Sequence, residues 1–249
     1  MAPSTVVLIT GVGRGIGNAV AAAYLLRPNY TVIGSVRDAK ASKAQELNNL
    51  PTAAGSRLML VSIENTSTTD AKKAVEDIEA AGVGHIDIVI SNAAVSPDLA
   101  PLDAIDTKVL VDTFSINAVS SVLLFQAVHK LLIKASAPKW ISVSSRVGSI
   151  GQPADFYWHV GAYGMSKAAQ NWFTSTIHIA VESLTAFAVH PGFVQTDMGN
   201  AAAKAGGLEK PPTTAEESST RLLQLIDTAT RESMSGKFVD VMTGEEYLF

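Results

Sequence analysis

The chain has 249 residues, 47% of them apolar, and 19 Lys and Arg against 23 Asp and Glu give a net charge of −4. That is enough material for the core of one α/β domain, and the absence of a basic run that could follow a phosphate backbone argues against a nucleic-acid partner. With no Cys at all, disulfides, thiolate nucleophiles and sulfur-held zinc are excluded.

The first residues, Met1-Ala-Pro-Ser-Thr-Val, lack the basic flank of a signal peptide, and no uninterrupted apolar run approaches the roughly 20 residues of a bilayer span. The expectation is a cytoplasmic protein with no membrane partner. Thr5–Thr10 is apolar and β-branched and predicts the first strand. Thr10-Gly-Val-Gly-Arg-Gly-Ile-Gly17 follows and leads into a helical pattern in which Ile16, Ala19, Val20, Ala23 and Tyr24 share one face. Further strands are predicted at Tyr30–Val36, Leu58–Ile63, Ile86–Ser91, Trp140–Val143, Ala186–His190 and Lys237–Val241. Long apolar helices are predicted over Val109–Leu132 and from Tyr163 to about Val181. Strands that alternate with helices, and that carry apolar residues on consecutive positions, predict a doubly wound, seven-stranded parallel sheet with helices on both faces. No linker divides the chain. Residues 1–249 are expected to form one domain, with Asn200–Thr214 a mobile insertion and Asp197–Pro212 able to close over a ligand.

The glycine turn suits a pyrophosphate, since glycines let the backbone approach closely and the N–H groups that open the helix meet negative charge. Its spacing is not G-x-G-x-x-G, because Ile16 stands where that pattern needs Gly, and it lacks the Lys-Ser/Thr of a P-loop. Tyr163 and Lys167 lie four apart and share a helix face. A carbonyl reduced by hydride needs a proton donor at oxygen; Tyr can be one, and a neighbouring ammonium lowers its pKa. Val143-Ser144-Ser145-Arg146-Val147-Gly148 ends the fifth strand, where open α/β sheets bind ligands, and Asn117 is a polar residue in a mostly apolar helix.

Together, T-G-x-x-x-G-x-G at Thr10–Gly17, Asn117, the serine pair, Tyr163-Gly-Met-Ser-Lys167 and His190-Pro-Gly-Phe-Val-Gln-Thr196 resemble the short-chain dehydrogenases/reductases over essentially the whole chain. The surroundings of Thr10, Pro191 and Gly236-Lys-Phe238 are similar to fungal polyketide ketoreductases of the norsolorinic-acid type and to sniffer-like carbonyl reductases. The resemblance implies a catalytic set of Asn117, Ser145, Tyr163 and Lys167. Tyr163 would be the acid or base, Lys167 would lower its pKa and hold the nicotinamide ribose, Ser145 would polarise the carbonyl, and Asn117 would hold a water. Ser145 is preferred to Ser144 because it directly precedes the small-residue turn. Cofactor contacts are expected from Gly11, Arg14, Gly15, Ile16, Gly17, Arg37, Ile63, Asn92, Ala93, Tyr163, Lys167, Pro191, Val194 and Thr196, with no metal. Ser35-Val36-Arg37-Asp38 has no acidic residue at position 36, and Arg37 with Arg14 is placed to meet a 2′-phosphate, which favours NADPH/NADP+ over NADH. Asp38 is read as the start of the next helix.

Three departures from the family pattern stand out. Ser91-Asn92-Ala93-Ala94 carries an extra methyl, Ser62 stands where an acidic residue commonly touches adenine, and the stretch from Ser145 to Tyr163 is long and holds Phe156-Tyr-Trp-His159. That aromatic cluster either encloses a bulky or aromatic ketone or forms an oligomer contact. The five histidines, 85, 129, 159, 178 and 190, lack metal spacing and are expected in surface or capping roles, with His159 a candidate at the substrate site. The function expected is an NADPH-dependent carbonyl reductase acting on a small-molecule carbonyl substrate, as a homodimer or homotetramer. An alcohol dehydrogenase, a cyclising enzyme in the same pocket and a non-catalytic NADP-binding sensor are the alternatives.

Overall fold

The computed structural model describes residues 4–153 and 159–249. Its centre is one eight-stranded sheet in the order β3-β2-β1-β4-β5-β6-β7-β8. The strands are β1 (Thr5–Thr10), β2 (Tyr30–Val36), β3 (Arg57–Ser62), β4 (Ile88–Ser91), β5 (Lys139–Val143), β6 (Thr185–His190), β7 (Phe238–Asp240) and β8 (Glu246–Tyr247). The first seven run parallel, and β8 pairs antiparallel to β7.

Consecutive apolar residues on a strand face opposite ways, so each strand feeds two cores. Val7 and Ile9 pack with Val20, Tyr24 and Leu25 of α1 (Gly15–Leu25) and, on the same face, with Leu222 and Ile226. Val6 and Leu8 pack on the other face with Ile78 of α3 (Asp70–Ala80), with Leu124 and Val128, and with Trp140 and Ile177. The remaining α-helices among the described residues are α2 (Ser42–Gln45), α4 (Thr107–Phe114), α5 (Ser120–Leu132), α6 (Gly161–Ala180), α7 (Asp197–Ala205), α8 (Ala215–Thr228) and α9 (Arg231–Met234). Strand order reverses between β1 and β4, and open α/β sheets bind ligands at the carboxyl ends beside such a reversal.

The sequence expectation of a seven-stranded parallel sheet needs one correction, the added antiparallel strand β8. Two residues are too few to show an alternation, and this strand is held by a turn: the Asp240 carboxylate accepts from Met242 N (2.7 Å), Thr243 N (3.1 Å) and the Tyr247 hydroxyl (2.6 Å). β4 begins at Ile88, later than expected, because Ile86 N donates to Leu131 of α5. The helix expected near Asp38 opens only at Ser42; the Asp38 carboxylate caps Lys40 N in a turn ahead of it. The segment expected as a mobile insertion contains helix α7, capped by Thr196, whose hydroxyl accepts from Gly199 N.

The long apolar helix is interrupted. Residues Ser115–Val119 form a π-turn between α4 and α5. By length and composition alone, Thr107–Leu132 would serve as a bilayer span, yet Leu124, Val128, Leu131 and Leu132 are spent on the core.

Tyr247→Phe removes a donor from the buried Asp240 carboxylate. An unmet buried acceptor costs about 1–3 kcal/mol, so the variant should unfold at lower urea concentration by that amount, with the sheet otherwise intact by circular dichroism.

Candidate active site

The turn from β1 to α1 lies at the reversal of strand order. Gly11 has φ +74° and Gly15 φ +59°, conformations that favour glycine. A side chain at Gly17 would collide with the Gly11 carbonyl oxygen and with Asn92 Nδ2, so that glycine is required for close packing. α1 opens without a side-chain cap and without an acidic residue in its first turn, with Arg14 in the extended N-cap position. Its leading N–H groups are therefore available to an anion. Asn92 and Ala93, just past β4, both donate backbone N–H to Thr10 Oγ1 at 2.9 Å, and Asn92 Nδ2 donates to the Thr10 carbonyl at 2.8 Å. Asn92 thus fixes the glycine turn. Thr10, part of the motif but absent from the expected contacts, is the acceptor that makes this possible.

At the adenosine end, Val36 closes β2 beside Gly13, and Arg37 follows it, exposed. Asp38 is spent on its own turn, and the Ser62 hydroxyl accepts from Ala39 N at 3.0 Å. Buried Ile63 donates its N–H to Val36 O at 2.8 Å. Arg14 is held elsewhere: its Nη1 meets Asp197 Oδ2 of α7 at 2.7 Å, an exposed ion pair of the kind worth little in water. At the opposite end, Thr196 packs its methyl towards Gly15 while its hydroxyl caps α7. Pro191 O accepts from Ser218 Oγ at 2.7 Å, and Val194 is buried in an isolated bridge to Thr213.

Ser145 leaves β5 in an extended conformation and opens the turn Arg146–Gly148. That turn lies tightly on α6: a side chain at Gly148 would meet the Lys167 backbone, and one at Gly164 would meet the Val147 carbonyl. Ser145 is thereby brought beside the Tyr163 phenol, whose pKa it pulls down. Ser144 is not; its hydroxyl is buried without a partner among the described residues. Lys167, 1% exposed, donates to Val143 O at 2.8 Å and to Gln170 Oε1 at 2.9 Å, and its Nζ stands 5.7 Å from the centre of the Tyr163 ring.

The electrostatics correct one expectation. Burial pushes the Tyr163 phenol up to about 12, with Ser145 pulling the other way, and Lys167 is not among the causes. The ammonium lies over the ring and is bonded away from the hydroxyl, and its own burial brings it down to about 7. Asn117 is also engaged differently from expectation. Its side chain accepts from Val95 N (2.8 Å) and donates to Val95 O (2.8 Å) and Ser166 Oγ (2.9 Å), pinning the loop after β4 to α6. Any water it held would have to use its main-chain carbonyl, at the π-turn.

Among the histidines, His190 is a correction: it is buried, held down to about 4 by desolvation, and its Nδ1 has no hydrogen-bond partner among the described residues. His159, with φ +54°, lines a cleft of ≈420 Å³ together with Tyr163, Leu99, Ile105 and Val109. Phe156, Tyr157 and Trp158 lie outside the described residues. A groove of ≈520 Å³ between α1 and α8 reaches Gly15 and Thr196 but not Ser145, Tyr163 or Lys167.

A parallel sheet with a glycine turn at its switch point, and a serine, a tyrosine and a lysine gathered at the end of β5, defines a dinucleotide-dependent oxidoreductase. The family model described as short chain dehydrogenase matches residues 5–206, and the chain belongs to that family, whose fold binds a nicotinamide cofactor and whose members act on carbonyl and hydroxyl groups. It is 48% identical over 247 residues to the short-chain dehydrogenase srdF of Neurospora crassa, covering 98% of this chain and 97% of the other. It is 36% identical over 238 residues to the norsolorinic acid ketoreductase of Aspergillus parasiticus, covering 94% and 88%. The NADPH-bound carbonyl reductase from chicken fatty liver superposes with a TM-score of 0.86 at 27% identity, covering 99% of this chain and 100% of that one.

A base whose pKa falls on folding penalises the native state while the unfolded chain stays protonated. Stability should therefore rise with pH from about 7 towards the ordinary lysine value, by at most about 1.4 kcal/mol per pH unit. Lys167→Met lacks this slope. Urea denaturation of both proteins at pH 6, 8 and 9.5 should show the wild type gaining on the variant as pH rises, whereas parallel curves would mean the ammonium is not buried.

Proposed function

We propose that the protein is an NADPH-dependent ketoreductase for bulky or aromatic ketones, with Tyr163 as proton donor, Ser145 polarising the carbonyl and Lys167 holding the nicotinamide ribose. The observation that carries this is the packing of the turn after β5 on α6, which brings Ser145 beside the Tyr163 phenol, one helical turn from Lys167. Bound nicotinamide supplies the hydride. A phenol pushed up to about 12 is protonated at neutral pH, the form required to give a proton to the oxygen as its bond to carbon gains an electron pair. Ser145, beside the same phenol, marks where that oxygen would sit. Gly11, Gly15, Ile16 and Gly17 would receive the pyrophosphate, Ile63, Asn92 and Ala93 the adenosine half, and Pro191, Val194 and Thr196 the nicotinamide.

Support for a large ketone comes from the apolar cleft beside Tyr163 and from a relative named for norsolorinic acid. Support for NADPH comes from the exposed Arg37 after a neutral Val36, and from the NADPH of the chicken carbonyl reductase. Arg14 can reach a 2′-phosphate once it leaves Asp197, a weak pair to break. Assembly through α4 and α6 is supported by the apolar side chains they leave exposed, Val111, Phe114, Met165, Trp172 and Ile179.

Tyr163→Phe should lower ketone turnover by roughly 10²–10⁴-fold with NADPH affinity nearly unchanged. Near-normal turnover would remove Tyr163 from the chemistry. Cofactor preference is tested by kcat/KM for NADPH and NADH: each charge-assisted contact to the phosphate is worth about 1.5–3 kcal/mol, so replacing Val36 with Asp and Arg37 with Ser should move the ratio towards NADH by at least tenfold. A wild type that prefers NADH would refute this assignment.

A further inference from the structure

An amphipathic helix normally buries an apolar stripe, but the buried positions of α6 are Ala162, Ser166, Lys167, Gln170, Asn171, Thr174 and Ile177, most of them polar. Gln170 is 1% exposed, so its amide must be bonded on both ends to be tolerated there. It is. An ammonium can only donate, so Gln170 must turn Oε1 to Lys167 at 2.9 Å, and its Nε2 is then obliged to donate to Ser121 Oγ of α5 at 3.1 Å. Having accepted that bond, the Ser121 hydroxyl has its proton left for the Asn117 carbonyl at 3.3 Å or for Ser91 Oγ at 3.0 Å. Each direction in this chain follows from the charge at its head, and its tail is the π-turn that carries Asn117.

We propose that Gln170 is a positioning residue for the reductase reading given above: its carbonyl holds the Lys167 ammonium, and its amide ties that ammonium to the Asn117 π-turn, so that Gln170 sets both where Lys167 sits and whether it is charged. Val143 O and Gln170 Oε1 occupy two of the three ammonium protons, which leaves one for a ligand. No other charge substitutes for Gln170. The ionisable groups on α6 and the elements packed against it are Tyr163 and His178 on the helix itself, Lys108 and Asp112 on α4, and His129 and Lys130 on α5. Lys139 on β5, Arg146 in the turn after it, His190 on β6, and Arg231 and Glu232 on α9, where Arg231 Nη2 donates to the His178 carbonyl, are the further groups among the described residues. None contributes to the displacement of Lys167, whose cause is burial.

The test is an NMR titration of the full chain labelled with 15Nζ,13Cε-lysine, with the Lys167 signal assigned by its loss in Lys167→Met. Run beside it is kcat/KM against pH for ketone reduction. Gln170→Leu removes the acceptor and should lower the Lys167 midpoint by about one pH unit or more, whereas Gln170→Glu places a carboxylate there and should raise it by a similar amount. The limb of the kcat/KM profile that follows Lys167 should move in the same directions. A role in packing alone would not drive the two variants opposite ways. If the leucine variant fails to fold, Gln170→Met replaces it at nearly the volume of Gln, and Gln170→Glu against wild type carries the comparison by itself. Equal Lys167 midpoints in the folded wild type and glutamate variant overturn the proposal. Because the titration needs no turnover, the two readings separate: shifted midpoints in a protein that reduces no ketone would defeat the reductase function and leave the role of Gln170 standing, and ketone reduction with unmoved midpoints would do the reverse.

Discussion

Taking a lysine ammonium out of water costs several kcal/mol unless other acceptors replace the solvent, and Lys167 has no carboxylate to answer it. Two neutral oxygens do the work instead, one from the last residue of β5 and one from the next turn of its own helix. Neutral acceptors hold the ammonium without fixing its charge, which leaves it balanced near neutral pH. Much of the local structure follows. Gly148 and Gly164 are needed so that the turn after β5 can lie against α6 and deliver both the Val143 carbonyl and Ser145. The buried face of α6 is polar because its charge has to be met.

The same logic of spent and unspent groups runs through the rest of the site. Side chains bonded within the protein tie one loop to another: Thr10 joins the glycine turn to the end of β4, Asn117 joins the following loop to α6, and Thr196 starts α7. What these ties leave open is the uncapped start of α1, the exposed Arg37 and the Tyr163–Ser145 pair. Those groups fall at the carboxyl ends of β1, β2 and β5, and the bonds behind them keep that edge of the sheet preorganised before any ligand arrives.

Much of this was legible in the residues. Strand positions followed from buried β-branched runs because a strand covered on both faces needs little alternation, and the boundaries of β1 and β2 coincide with those runs. The glycine turn was legible because positive φ and close backbone approach admit few other residues. Other features left no local trace. β8 is two residues long, and its cause is the Asp240 carboxylate behind it. The π-turn within Thr107–Leu132 breaks no apolar pattern. Gln170 looks like an ordinary helix residue until its neighbours across the interface are known.

The sequence by itself determined the class of fold, the glycine turn and the Tyr163–Lys167 pairing on one helix face, because these depend on residue type and on spacing along one strand or one helix. Only the tertiary structure decided that Arg14 pairs with Asp197, that the side chain of Asn117 holds a loop, and that the Lys167 ammonium turns from the phenol towards Gln170. Each of those outcomes is a competition between partners far apart in the chain, and burial and distance, which no local pattern encodes, choose the winner.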